Sequence, residues 1–315
     1  MSGEYRWTLL WERYGVLLLL LALSVAFALK SSSFTSLANL RNLLGQTAAV
    51  AIAAAGMTLL ITNGGFDLSI GSILSLVGVC LCSWIPEWGL GIALLLALLV
   101  GGSCGFFNGL LVTHLKLPTF IATLATMLLF RGIALLYSNG KDVNLFGLPA
   151  IKFFSSGEIL QLPVPLFLLA GIYGLAYLVY RRLSLGLAIR AAGSNIQAAF
   201  SAGVSLTFVR LWVFTFLGLT TAVASLITTA QILVGNGKLG LGFELEVIAV
   251  TLLGGTALQG GRGNLSGTFW AALLLSVLKN GLNLFNVADY YQRLSLGLLL
   301  ILALSIQRFF GQRGA

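Results

Sequence analysis

The sequence predicts an all-α membrane protein that crosses the bilayer about ten times. Of its 315 residues, 58% are hydrophobic and only 9% are charged, and its mean hydropathy is +0.99. Soluble domains carry about 25% charged residues, so this composition excludes a soluble protein. The hydrophobic residues also fall into separate runs, close to the roughly 20 residues that a helix needs to cross the core of a bilayer.

No stretch between these runs has the composition of a water-soluble domain, so residues 1–315 are expected to form one transmembrane domain. Several runs lack sharp polar boundaries, and those near 120 and 250 are short, which leaves a range of eight to eleven crossings. In chain order the runs cover 14–29, 43–62, 68–85, 90–112, 119–137, 160–180, 207–233, 246–260, 265–285 and 293–310.

The first run has some features of a cleavable signal peptide. Arg6 and Arg13 precede it, and Ala26-Phe27-Ala28 resembles a signal-peptidase site. The run is nevertheless long for the apolar region of a signal peptide, and nine further hydrophobic runs follow it. We therefore expect a retained first transmembrane helix.

The charges predict the orientation of the chain. The net charge is +9, and cytoplasmic loops of membrane proteins are enriched in Lys and Arg. The loop 181–206 carries Arg181, Arg182 and Arg190 without an acidic residue, which places it in the cytoplasm. Ten crossings then put both termini on the cytoplasmic side. The basic residues form no stripe that could follow a phosphate backbone, so nucleic-acid binding is excluded.

The residues that catalysis requires are largely missing. The one histidine, His114, lies beside Lys116 at the end of a run, with no acidic residue nearby in the sequence. The three cysteines lie inside hydrophobic runs and match no metal or redox spacing. Gly235-Asn236-Gly237-Lys238 lacks the spacing and the following Ser or Thr of a phosphate-binding loop. We therefore expect no catalytic residue, metal or cofactor, and any ATP that drives the protein must be bound by a different chain.

One run carries a stripe of glycine. Gly101, Gly105 and Gly109 recur at every fourth position, so they share one helix face. Such a face lets a neighbouring backbone approach closely, and we expect these glycines to pack against another transmembrane helix.

A break separates the second and third runs. Gly64 and Gly65 interrupt the hydrophobic pattern and leave Asp67, a charged residue, near the start of the next helix. Asp67 followed by Ser69 can cap that helix and satisfy backbone N–H groups that lipid cannot. The alternative is a coupling-ion site, because ionisable residues within the membrane mark ion pathways, and only Asp67 and Arg131 fall there. We favour the cap.

Four glycine-rich motifs follow one another between about residues 40 and 295. They are Gly56-Met57-Thr58 with Gly64-Gly65-Phe66-Asp67-Leu68-Ser69-Ile70-Gly71-Ser72; Leu185-Gly186 with Ala192-Gly193-Ser194-Asn195, Ala198-Ala199 and Gly203-Val204; Gly242-Phe243-Glu244-Leu245-Glu246-Val247-Ile248-Ala249 with Leu253-Gly254-Gly255-Thr256 and Gly260-Gly261-Arg262-Gly263; and Asn280-Gly281-Leu282-Asn283-Leu284. In order and spacing they resemble the permease subunits of ribose-type ABC sugar importers, within the branched-chain amino acid/sugar permease superfamily.

This resemblance implies a type II-like ABC importer permease of the bacterial inner membrane. Such a subunit moves a small sugar or sugar-like solute from the periplasm to the cytoplasm and is not itself an enzyme. It pairs with a second copy or a paralogue, receives solute from a periplasmic solute-binding protein, and takes its energy from a separate ATP-binding cassette ATPase, with membrane lipid around it. No residue decides among a pentose, a hexose, inositol, a furanone-type signal and a nucleoside.

The resemblance also implies that the loop 181–206 contains the helix that docks on the ATPase. Asn195 can cap a short helix over 196–202, and Gly203 can end it in a left-handed turn. The alternative is an ordinary basic cytoplasmic loop. The residues assigned to coupling are Arg190, Gly193, Asn195, Ala198, Ala199 and Gly203.

The solute pathway is sought among polar residues in the hydrophobic runs. Asn280, Asn283 and Asn286 recur at intervals of three, which predicts that they lie along one side of a helix. Asparagine is costly in lipid unless it is paired or faces water. The stripe therefore either faces the solute or bonds to another helix, and both interpretations stay open. Thr58, Thr62, Asn108 and Thr251 are weaker pathway candidates of the same kind.

Two other functions remain as alternatives. A self-sufficient secondary carrier is opposed by the near absence of ionisable residues within the hydrophobic runs. A membrane-embedded enzyme is opposed by the lack of any set of nucleophile, base and metal ligands. Only the ABC permease requires an ATPase partner for transport, so co-purification with such a partner distinguishes the three.

Overall fold

The computed structural model of the chain describes residues 3–288, 290–292, 294, 295, 297, 298 and 301, with side-chain surroundings from Gly15 onward except at Pro149. Hydrophobic runs form helices because a backbone in lipid must satisfy its N–H and C=O groups within its own segment. The helices are α1 (Gly3–Lys30), α2 (Leu37–Thr62), α3 (Ile70–Thr113), α4 (Thr119–Tyr137), α5 (Phe153–Ser156), α6 (Val164–Arg182), α7 (Ser184–Ser194), α8 (Ile196–Ser201), α9 (Leu206–Ile232), α10 (Phe243–Leu253) and α11 (Leu265–Leu284).

The described residues also include four two-residue strands, which form two antiparallel ladders, and one 3₁₀ turn over Pro149–Lys152. The first ladder joins the segment after α4 to the segment after α9, and the second is a hairpin just before α6. The strands are β1 (Val143–Asn144), paired with β4 (Val234–Gly235), and β2 (Glu158–Ile159), paired with β3 (Leu162–Pro163).

The longest helix, α3, is a hairpin. Its 44 residues would extend about 66 Å as one rod, roughly twice the hydrocarbon thickness of a bilayer. Gly89 has φ 76° and ψ 165°, a conformation that favours glycine, and it reverses the chain. A hydrogen bond from Asn108 to Asp67 joins the end of the second limb to the start of the first. The third and fourth predicted runs are these two limbs.

Helix α9 packs against both limbs of α3. Ser225 Oγ of α9 donates to Leu74 O in the first limb at 2.7 Å. In the second limb, a Cβ added at Gly101, Gly105 or Gly109 would meet backbone atoms of α9. The glycine stripe therefore allows close helix packing, as the sequence predicts.

Helix α2 lies at the centre of the bundle, between α6, α9, α10 and α11. Every side chain from Thr47 to Thr62 is buried. A helix that is apolar all round is one that other helices surround, so α2 provides the core on which the rest of the bundle packs.

Within the described part of the chain, six helices are long and apolar enough to cross a membrane, namely α2, α3, α4, α6, α9 and α11, while the apolar part of α1 over Gly15–Lys30 is shorter. The chain is therefore a multi-pass membrane protein. Eight of the ten predicted runs coincide with described helices. The run 246–260 is wrong as a full span, because α10 has eleven residues and ends at Leu253. The run 293–310 lies largely outside the described residues.

The bundle has two distinct ends. At the first, called the α7 end, Gly261 N donates to Thr62 O at 2.8 Å, so the turns after α2 and α10 meet beside α7. At the second, called the α5 end, Ser155 Oγ of α5 donates to Ala230 O near the end of α9 at 3.0 Å. Six basic residues belong to the segments that meet at the α7 end: Lys116, Arg181, Arg182, Arg190, Arg210 and Arg262.

Candidate functional site

Two polar cavities meet beside α2 at the α5 end. The outer cavity has a volume of about 600 Å³ and the inner cavity about 570 Å³, and Gln46 and Gln231 line both. Gly45 makes room for this junction, since a Cβ there would lie 3.0 Å from Nε2 of Gln231. Together the cavities form one recess of the size that small-molecule sites have.

The outer cavity is walled by the start of α2 and by the segment between α4 and α6. Arg41 and Glu158 form an ion pair across it, with Nη1 and Oε1 2.8 Å apart and both side chains well exposed. An exposed pair of this kind adds little stability. Its charges, together with Lys152, instead give the mouth of the recess a polar lining.

The inner cavity contains a second ion pair, between Glu246 of α10 and Lys279 of α11. Only 11% of the Glu246 side chain is exposed, against 34% for Lys279. Phe243 and Asn283 line the same cavity. Charged groups inside a membrane domain are costly unless paired, and their presence marks a functional site by default.

The unwound segment 233–242 lets α10 begin inside the bundle. Gly240 and Gly242 take the left-handed values φ 72° and 84°, and a Cβ at Gly240 would also crowd backbone atoms of α3. Arg131 of α4 secures the segment, because its Nη1 donates to Gly237 O at 2.8 Å and to Leu239 O at 2.7 Å. Irregular backbone at membrane depth is tolerated where protein surrounds it, and half-helices of this kind often line transport sites.

The predicted asparagine stripe is wrong as a single helix face. Helix α11 ends at Leu284, so Asn286 lies beyond it, with φ 54°. Asn280 is buried and bonds to Asn39 of α2. Asn283 is exposed, lines the inner cavity and accepts a hydrogen bond from Gln292 Nε2 at 2.7 Å. Within this stripe, Asn280 makes the interhelical bond and Asn283 faces the recess.

The other pathway candidates are buried and line neither cavity. Thr58 Oγ1 lies 3.0 Å from Thr268 Oγ1 and also donates to a backbone carbonyl of its own helix. Thr62 and Thr251 donate to carbonyls one turn earlier. Asn108 bonds at the break described next. The hydroxyl groups of Thr58, Thr62 and Thr251 are thus satisfied within the bundle, whereas Asn108 bonds through Nδ2 alone, and its buried Oδ1 has no hydrogen-bond partner among the described residues.

The break after α2 is held together by side chains. Asp67 Oδ1 accepts hydrogen bonds from Ser69 N at 2.7 Å and from Ser69 Oγ at 2.6 Å, and Oδ2 accepts from Asn108 Nδ2 at 2.9 Å. Gly64 has φ 84°, while a Cβ at Gly65 would lie 2.9 Å from a Leu60 methyl carbon. Asp67 thus satisfies the amide of Ser69, the N-cap residue of α3, and also joins the two limbs of α3. The Ser69 side chain makes no capping bond, so the predicted cap on the first turn of α3 is wrong.

The loop 181–206 contains α7 and α8. Asn195 Oδ1 accepts from Gln197 N at 3.1 Å and Ala198 N at 3.0 Å, so it caps α8 as predicted. Gly203 ends the turn with φ 80°. Ala198 is exposed, whereas Ala199 is buried against the chain's own bundle and has no surface for a partner. The large exposed apolar side chains of α8 are Ile196 and Phe200.

Two further coupling candidates make contacts inside the chain. Arg190 Nη1 donates to Tyr180 O, and its guanidinium lies over the Tyr180 ring, 4.8 Å from the ring centroid. A Cβ at Gly193 would collide with Thr62 O and would lie 2.7 Å from Gly261 N. Gly193 therefore joins α7 to the turns after α2 and after α10.

Sequence reasoning missed the polar residues of the inner cavity. Glu246 and Lys279 lie within the predicted runs 246–260 and 265–285 but were not among the candidate site residues, and Gln46 lies in an otherwise apolar run. One signal could have found them. The pattern Gly65-Phe66-Asp67-Leu68-Ser69 before α3 is similar to Gly242-Phe243-Glu244-Leu245-Glu246 at the start of α10.

The chain is similar in sequence to known transport permeases. Residues 39–304 match the family described as branched-chain amino acid transport system / permease component. The ribose import permease protein of Escherichia coli (strain K12) is 35% identical over 317 residues, covering 97% of each chain. That of Bacillus subtilis (strain 168) is 34% identical, covering 94% of this chain and 93% of the relative.

The D-allose transport system permease protein of Escherichia coli (strain K12) is 30% identical, covering 98% of this chain and 95% of the relative. No solved structure matches the chain. The family match and the full-length relatives lead to one conclusion. The chain is a member of the branched-chain amino acid transport system permease family.

Proposed function

We propose that this chain is the membrane permease subunit of an ATP-driven importer that moves a monosaccharide from the periplasm to the cytoplasm. The observation that carries the proposal is the full-length similarity to ribose import permeases. The polar recess beside α2 supports it, because a conduit for a hydroxyl-rich solute needs polar groups that replace lost hydration.

The α7 end faces the cytoplasm in this proposal. The loop 181–206 supports the orientation, because it carries Arg181, Arg182 and Arg190 without an acidic residue, and cytoplasmic loops are enriched in Lys and Arg. Ten crossings then follow: α1, α2, the two limbs of α3, α4, α6, α9, the broken span over 233–253, α11 and the run 293–310. Both termini would be cytoplasmic.

The ATPase would dock on α8. Ile196 and Phe200 project from this helix with 41% and 71% of their surfaces exposed, and they are four residues apart, so they form one apolar face. The ATP site belongs to that partner, so the permease needs no cofactor of its own. A second permease copy or a paralogue would complete the pore, and a periplasmic solute-binding protein would deliver solute at the α5 end.

Reconstitution tests this function. The permease is placed in vesicles with its ATPase and binding protein, and uptake of radiolabelled D-ribose and D-allose is measured with ATP or a non-hydrolysable analogue. We expect uptake with ATP but not with the non-hydrolysable analogue, and only when the ATPase is present. Uptake without the ATPase that collapses when an ionophore removes ion gradients would instead establish a secondary carrier. Absence of uptake of both aldoses would contradict the proposed solute class.

A further inference from the structure

The inner cavity offers a specific set of groups to a solute. We infer that it is the sugar-binding chamber of the permease, in which Phe243 packs on the ring while Gln46, Gln231, Asn283 and the Glu246–Lys279 pair bond to its hydroxyls. This inference rests on the proposed function and names the residues that would perform it.

The position of the cavity is the first argument. It lies where α2, α9, α10 and α11 converge, and Gln46 and Gln231 connect it to the outer cavity at the α5 end. Towards the α7 end the same helices are closed by buried contacts such as Thr58 with Thr268. A solute that enters from the α5 end would therefore stop in the inner cavity.

The chemistry of the lining is the second argument. A sugar ring has an apolar face of C–H groups and a rim of hydroxyls that both donate and accept. Phe243 provides a flat apolar surface, and three side-chain amides, Gln46, Gln231 and Asn283, provide both donors and acceptors. This is the pattern of a small-molecule site, in which a few placed polar groups fix the ligand among apolar ones.

The ion pair is the third argument. The hydrogen bonds of the described residues engage Oε2 of Glu246 and one N–H of Lys279, so Oε1 and two ammonium protons stay available on side chains that line the cavity. Bonds to charged groups are about twice as strong as neutral ones. Because the two charges cancel, the chamber can bind hydroxyls strongly without attracting ions. The pair thus selects for an uncharged solute.

A labelling experiment tests the chamber in the complete transporter. Asn283→Cys is reacted with a small membrane-impermeant thiosulfonate, since the natural cysteines Cys80, Cys82 and Cys104 are buried. We expect millimolar D-ribose or D-allose to slow the reaction at least threefold. Lys141→Cys, exposed at the α5 end and outside both cavities, should react equally with and without sugar.

A comparison of a cationic with an uncharged sugar distinguishes whether the Glu246–Lys279 pair contacts the solute or only stabilises the fold. In Asn283→Cys/Lys279→Gln, the unpaired Glu246 makes the chamber anionic, so we expect the cationic sugar D-glucosamine to protect the introduced thiol at least fivefold better than D-glucose. In the parent carrying only Asn283→Cys, the two sugars should differ less than twofold. Equal protection by both in the Lys279→Gln variant would overturn the assigned role of the pair.

Uptake variants keep the inference testable if that double variant fails to assemble. Gln231→Leu and Phe243→Leu should lower the maximal uptake rate at least tenfold with normal ATPase binding, whereas Phe120→Leu, on the exposed face of α4, should stay within twofold of wild type. Wild-type uptake by the chamber variants, combined with labelling of Asn283→Cys that sugar does not slow, would overturn the chamber while the proposed function stands. Lack of uptake by the wild-type transporter would refute both.

Discussion

Asn39 of α2 and Asn280 of α11 exchange two amide hydrogen bonds, with Nδ2 to Oδ1 distances of 2.9 and 2.8 Å. Asn39 Nδ2 also donates to Phe34 O at 2.9 Å, so the pair joins the segment after α1 to both helices. Both side chains are buried. Leaving one buried amide without its partner costs more than removing both, because the remaining group loses its hydrogen bonds to water as well.

The substitution Asn280→Leu should therefore impair folding rather than transport alone. We expect it to lower stability by about 1–3 kcal/mol, measured as thermal unfolding in detergent, and Asn39→Leu/Asn280→Leu to recover part of that loss. Asn283→Leu is the comparison, since it should unfold at the wild-type temperature yet slow uptake. If the Asn280→Leu protein is as stable as wild type but fails to transport, Asn280 belongs to the solute pathway after all.

The carboxylate of Asp67 should be needed for the hairpin of α3 to close. Asp67→Ala leaves Ser69 N without its acceptor and Asn108 Nδ2 with Ser69 Oγ alone, so we expect a loss of about 1–3 kcal/mol and a lower yield of folded protein. Asp67→Asn keeps an acceptor oxygen and should be milder. If Asp67→Asn folds normally while uptake becomes insensitive to an ion gradient that the wild type requires, Asp67 couples an ion instead.

The surface of α8 should bind the ATPase through Phe200. Phe200→Ser should insert and fold normally, because the side chain is 71% exposed, and should release the ATPase on co-purification. Phe146→Ser is the matched control, with 69% exposure in the segment before α5. Ala199→Glu tests a different point, because Ala199 is buried and the change should disturb α8 itself. Normal ATPase recovery with Phe200→Ser would exclude this docking surface.

The contact of Gly193 with the turns after α2 and α10 should tolerate no side chain. In Gly193→Ala the new methyl group would meet backbone atoms of Thr62 and Gly261, so these segments must separate. We expect loss of uptake and faster proteolysis at the α7 end. Gly171→Ala in α6 has no neighbouring atom within 4 Å and should behave like wild type. Wild-type uptake by Gly193→Ala would mean that the segments can shift freely.

Local signals in the sequence predicted much of this fold. Hydrophobic runs predicted most helices, because a segment in lipid must satisfy its backbone N–H and C=O groups with hydrogen bonds inside the segment. The capping residue Asn195 and the terminating glycine Gly203 predicted α8. The spacing of Gly101, Gly105 and Gly109 predicted a close helix contact, though not that α9 makes it.

What the sequence could not predict depends on partners distant in the chain. Asn280 and Asn283 are three residues apart and of the same type, yet only one has Asn39 across from it. The segment 233–242 looks like an external loop, because Asn236 and Lys238 are polar and glycine recurs. It lies within the bundle since Arg131 and α3 supply contacts that no local pattern contains.

Three glycines from different segments are in contact at the α7 end, namely Gly64, Gly193 and Gly260, and this contact has a mechanical consequence. A Cβ at Gly260 would lie 2.8 Å from Gly193 O and 3.2 Å from Gly64 Cα, so only main-chain atoms separate the three segments. Side chains between two elements can change rotamer and absorb a displacement, but touching peptide groups cannot. A displacement of α7 is therefore transmitted directly to the end of α2 and to the turn after α10, and both helices also border the inner cavity.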